Sequence, residues 1–72
     1  MTTDLMEVYS LEDGDTIVYR GEFYRFIYTS YRVDGTVDVI CVDEEGYRRS
    51  ISVPDEFAQL RIVCDADHTE YA

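Results

Sequence analysis

Lysine and tryptophan are absent from this chain of 72 residues, and proline and histidine occur once each. No run approaches the ~20 apolar residues that a membrane-spanning helix needs. The start, "MTTDLMEVYS", has neither the basic nor the apolar region of a secretory leader, so the expectation is a cytoplasmic protein. All six basic residues are arginine and stand against sixteen carboxylates, giving a formal net charge of -10. Such a balance repels phosphate backbones and anionic membranes, which disfavours direct binding to either. Arginine without lysine, beside abundant acids, valine and glycine, fits a high-GC genome such as an actinobacterium or one of its phages. A salt-adapted proteome fits equally well. For a phage-encoded chain, the compartment would be the host cytoplasm.

The shortage of histidine and cysteine bears on chemistry. Acid–base or nucleophilic catalysis needs a base poised near neutrality beside a nucleophile. The only histidine, His68, lies beyond the last predicted strand, and neither Cys41 nor Cys64 has a partner in sequence. Both cysteines fall within apolar runs, where a reduced thiol behaves as a small hydrophobe; a bridge between neighbouring strands is the competing reading. The expectation is a non-enzymatic protein, and the sequence gives no sign of any cofactor. Two acidic stretches resemble metal loops superficially. "DADHTE", Asp65 to Glu70, lacks the glycine and the terminal glutamate of a calcium loop, and "DEEG", Asp43 to Gly46, reads as a soluble hairpin turn.

What the chain has in quantity is strand signal, with room for one domain only. A turn at Asp13-Gly14-Asp15 leads into a strand over Thr16 to Arg20. A two-residue break at Gly21-Glu22 precedes the longest strand, Phe23 to Arg32. Asp34-Gly35 turns into a strand from Thr36 to Asp43, and Glu44-Glu45-Gly46 into another from Tyr47 to Val53. In the latter, Tyr47, Arg49, Ile51 and Val53 share one face while Arg48, Ser50 and Ser52 share the other. Val37, Val39 and Cys41 form the matching dry face. Arg48 and Arg49 therefore point opposite ways, with Arg48 expected to offset acids on a neighbouring strand. Pro54 cannot continue a ladder, and "PDEF" suits a single 3₁₀ turn before the last strand, Leu60 to Cys64. The domain organisation expected is an N-terminal segment over 1–10, a β-barrel over 11–64 and a disordered acidic tail over 65–72.

Leu11, Gly14, Asp15 and Ile17, followed by Gly21, Tyr24 and Phe26, resemble the opening hairpin of bacterial and phage SH3-like domains. Val53-Pro54-Asp55-Glu56-Phe57 is similar to the proline-containing 3₁₀ turn before the final strand of SH3 domains. The resemblance implies an all-β, five-stranded SH3-like barrel. It does not carry over the proline-peptide groove of eukaryotic SH3 domains, which needs a tryptophan.

Two functions are compatible with this. The first is a protein-interaction or assembly module, because tyrosine offers contact area at low entropic cost with a polar tip. Its expected surface joins Tyr24, Tyr28 and Tyr31 with acids of the turns: Asp13, Asp15, Asp43, Glu44 and Glu45. On strict alternation Tyr24, Phe26 and Tyr28 share one face of their strand and Phe23, Ile27 and Tyr31 the other, so one set is partly outside the barrel. Rim packing explains the same tyrosines without a partner. The second function is an acidic DNA mimic that inhibits a host nucleic-acid-binding protein. Against it stands the placement of most carboxylates at turns rather than along one face. Partner identity is open, and so is oligomeric state, since an exposed strand edge such as Leu60 to Cys64, or the aromatic face, could pair two copies.

Overall fold

Val37, Val39, Cys41, Ile51 and Val53 recur at every second position of two runs joined by an acidic glycine turn, and all five are buried. This alternation is the pattern of a sheet with one dry face. The structure, a computed structural model, describes residues 2–64. His68 and the stretch Asp65 to Glu70 lie outside the described residues, as does the tail assigned to 65–72.

Six strands form a single antiparallel sheet: β1 (Thr2–Glu7), β2 (Thr16–Tyr19), β3 (Glu22–Tyr31), β4 (Val37–Asp43), β5 (Arg48–Val53) and β6 (Gln59–Cys64). Their order in the sheet is β1-β6-β2-β3-β4-β5. The fold is all-β, and the five strands expected from sequence appear within two residues of their expected ends. The last strand does cross over to the first expected one, with Ile17 opposite Ile62 and Val18 opposite Arg61.

Three features differ from the five-stranded barrel. A sixth strand, β1, lies in what reads as a polar N-terminal segment and pairs along its length with β6, from Thr2 opposite Cys64 to Glu7 opposite Gln59. Among the described residues the ladder does not close: β1 and β5 are its two edges, and Leu60 to Cys64, expected as an exposed edge, lies between β1 and β2. The 3₁₀ turn is Val8–Ser10, whereas the residues after Pro54 form a β-turn in which the Ala58 N–H donates to the Asp55 carbonyl at 3.2 Å.

One core serves the whole sheet. Ile51 and Val53 come from one flank, Leu60 and Ile62 from the other, and Val8, Leu11, Ile17 and Phe26 join them in the same cluster. Residues from both flanks can meet only if the sheet coils strongly around its inner face, as the right-handed twist of strands allows. A bulge in β3 supplies part of the bend: the register with β4 shifts between Phe26 and Tyr28, leaving Ile27 as an extra residue.

Two turns show how the hairpins are set. The β2–β3 break is Arg20-Gly21, one residue earlier than the sequence suggests, since Tyr19 pairs with Glu22. Both turn residues have positive φ, 52° and 80°, the conformation of a type I′ turn that matches the strand twist. Between β4 and β5, the Gly46 N–H donates to the Asp43 carbonyl at 3.0 Å, while Asp43 Oδ1 accepts from the Glu45 and Tyr47 amides, each at 2.9 Å. No helix among the described residues is long and apolar enough to cross a membrane.

Candidate functional site

The bulge at Ile27 decides where the tyrosines go. Residues opposite one another in an antiparallel pair share a face. Tyr24 lies opposite Asp43 and Phe26 opposite the buried Cys41, so both face the core side. Beyond the bulge Tyr28 lies opposite Ile40, and Tyr31 opposite the buried Val37. Tyr28 therefore points to the outer face and Tyr31 back to the core side, at the far end of the strand. The expected sharing of a face by Tyr24 and Tyr28 is corrected by that one extra residue, and the structure does not bring the three tyrosines together.

Each has its own surroundings. Tyr24 is half-buried and packs against the core; partial burial and the nearby Glu22 carboxylate push its hydroxyl pKa up. Tyr28 is exposed, with the Arg48 guanidinium 6.0 Å from its ring centre. Tyr31 is exposed and donates from its hydroxyl to Glu56 Oε1 at 3.3 Å.

The expected acids divide likewise. Asp15 sits beside Phe26 on one side of β3, its carbonyl accepting the Phe26 N–H at 2.8 Å, and its Oδ2 accepts the Glu12 amide at 2.9 Å. Asp13 is exposed in the same turn. Asp43, on the other side of β3, binds Arg49 Nε through Oδ2 at 2.8 Å. Arg49, rather than Arg48, is the arginine that offsets an acid here. The Arg49 hydrogen bond, aided by the Tyr47 amide, holds the Asp43 carboxyl below the ordinary carboxylate range. An Asp43 so occupied leaves little for a metal ion, and among the described residues no three candidate ligands converge. Glu44 and Glu45 stay exposed at the loop.

Cys41 is wholly buried, and burial raises its thiol pKa, so the group remains a protonated space-filler. The two cysteines are unbridged. Their strands, β4 and β6, are separated in the sheet by β2 and β3, so they are not the neighbours that a bridge would require.

A corner not anticipated from sequence gathers more exposed aromatic surface. The 3₁₀ turn packs on the β5–β6 turn through two backbone bonds, Val8 N–H to the Ala58 carbonyl at 2.9 Å and Tyr9 N–H to the Glu56 carbonyl at 3.1 Å. This brings Tyr9 and Phe57 edge to face with ring centres 5.6 Å apart. Tyr31 reaches the same place through Glu56. All three rings remain more than half exposed, while Val8 anchors the turn from below at 1% exposure. Phe57 is pinned by its N–H to Asp55 Oδ1 at 2.9 Å. Aromatic rings fixed by backbone bonds yet open to water form a preorganised contact surface. Val8 and Leu11, three apart and both buried, are the signal that turns Tyr9 outward in this short helix.

No family model matches the chain, and no curated protein matches its sequence.

Proposed function

We propose that this protein is a non-enzymatic interaction module of SH3-like build that docks a protein partner at the corner formed by Tyr9, Tyr31 and Phe57. The exposed Tyr9–Phe57 pair, locked to the β5–β6 turn, carries this reading. The SH3-like assignment draws support from the pairing of the last strand with β2, from the long bent strand shared by two hairpins, and from the proline turn before β6. No proline-peptide specificity is proposed, because the chain has no tryptophan. The DNA-mimic reading has less behind it: carboxylates gather at turns, while the outer sheet face carries arginines.

The test is capture from a host lysate at low and moderate salt, using the wild-type protein, the Tyr9→Ala/Phe57→Ala variant and Tyr28→Ala. A hot-spot pair of this kind is worth roughly 2 kcal/mol or more, so the double variant should lose a salt-resistant partner by about thirtyfold in affinity, with its circular dichroism unchanged. Equal retention by wild type and double variant would sink the assignment of this corner. Release of a nucleic-acid-binding protein between low and moderate salt would favour the mimic instead.

A further inference from the structure

Arginines are scarce here and unevenly placed. The strand registers align the outward residues in rows across the sheet: Arg61 beside Val18 and Phe23, then Thr16, Arg25, Val42 and Arg48, then Tyr28 beside Ile40. Three of the chain's six arginines, Arg25, Arg48 and Arg61, thus lie on one exposed face of a protein with net charge -10. Among the described residues the ion pairs are Arg32 with Asp38 and Arg49 with Asp43, so these three guanidiniums have no carboxylate partner there. Arg61 donates to Thr3 Oγ1 at 3.0 Å, and Arg48 lies over Tyr28. The carboxylates on the same face, Glu7 and Asp38, sit near its two ends, and Asp38 is already held by Arg32 and Ser52.

Val42 separates Arg25 from Arg48 in the register, and beside Arg25 the surface is indented and mostly apolar. A hollow of about 200 Å³ opens beside Arg25, walled by Thr16, Phe23, Tyr24 and Val42, with Glu44 and the Arg49-bound Asp43 at its rim. Arg25 and Arg48 are two strands apart, which places their backbones about 10 Å from one another. Carboxylates three residues apart on a polyproline II chain share one face and lie about 9 Å apart.

We propose that this outer face binds an acidic peptide segment of a protein partner. Its carboxylates would meet Arg61, Arg25 and Arg48, and one apolar side chain would enter the hollow. The charge pattern favours a short peptide over a nucleic acid. A phosphate chain running past the face would meet the acidic turns at its margins, whereas a peptide can confine its charge to the basic rows. The surface is separate from the Tyr9–Phe57 corner, so the proposal does not depend on that site.

The experiment is an NMR amide-shift titration of the full chain at low salt with a blocked peptide of glutamates around one central leucine. Shifts confined to residues around Arg25, Val42, Arg48 and Val18 are expected, with binding weakened about tenfold or more in Arg25→Glu/Arg48→Glu. Replacing the central leucine by alanine should also weaken binding, by about tenfold, if the hollow is filled. Arg20→Glu is the single-reversal control: Arg20 lies over the Tyr19 ring on the core side and should change affinity less than about twofold. An Arg20→Glu loss matching that of Arg48→Glu alone would mean that bulk charge governs binding, and would overturn the proposal. So would an absence of shifts, shifts elsewhere on the chain, or tighter binding of an oligothymidylate to the same face.

Discussion

Truncating Val8 to alanine tests whether the N-terminal segment belongs to the core. Val8 is 1% exposed and its N–H donates to Ala58 across the chain. Two buried methyl groups are lost, about 1.6 kcal/mol at ~0.8 kcal/mol each. The cavity they leave raises this to roughly 2–3 kcal/mol, because surroundings relax only in part. A chain of 72 residues has a total stability of roughly 4–11 kcal/mol, so the loss is a large share. It corresponds to a fall in melting temperature of about 10–20 °C, read by circular dichroism in the far and near ultraviolet. Val33→Ala is the comparison, since Val33 is fully exposed in the β3–β4 turn and the same atoms are removed; it should stay within about 0.5 kcal/mol of wild type. If the two variants melt together, residues 2–10 lie outside the cooperative core and the account of the corner around Tyr9 falls with them. Val8→Ala should also loosen that corner, visible as weaker near-ultraviolet tyrosine signal before the main transition.

Two other perturbations probe the hairpins. The Asp43 carboxyl is held below its ordinary pKa chiefly by Arg49, so the unfolded chain binds its proton more readily. The stabilisation is complete above the unfolded value near 4 and is lost as pH falls through the lower folded value. Urea midpoints should therefore decline below about pH 4, and Asp43→Asn should start lower at neutral pH and decline less; an identical slope would refute the linkage. Deleting Ile27 leaves Phe26 and Tyr28 opposite Cys41 and Ile40, which are themselves adjacent, so the ladder becomes regular and the protein should fold with a loss of about 1–2 kcal/mol. Deleting Thr29 also removes the bulge but carries Tyr28 to the place opposite the buried Val39, forcing its ring onto the core side, and should cost more than deleting Ile27; equal tolerance of the two deletions would show that register in β3 is not fixed as described.

The central hairpins were legible because turn chemistry and alternation agree there: Asp34-Gly35 and Glu44-Glu45-Gly46 punctuate runs whose apolar residues keep strict period two. β1 was not, for a physical reason. It is an edge strand, and Asp4 stays exposed although it lies opposite the buried Ile62, so no dry face is written into Thr2 to Glu7. The tyrosine faces were misread because a bulge without glycine leaves no local mark, and every side chain beyond Ile27 changes sides. The Tyr9–Phe57 corner depends on a contact between residues remote in sequence, and only the spacing of Val8 and Leu11 hints at it. The arginine rows were hidden likewise, since they exist only across strands.

The pairing of β1 with β6 also orders events in time. Arg61 bonds to Thr3 across 58 positions, so among the described residues β1 has as its one partner the last of the six strands. Until residues 59–64 emerge, Leu5 and Met6 stay unmatched and β2 lacks its neighbour on that side. Contacts of such separation are entropically expensive to close and slow folding. Completion of the sheet therefore waits on residues 59–64, and a chain interrupted before Gln59 would leave β1 unpaired and β2 with one open edge rather than forming a smaller stable domain.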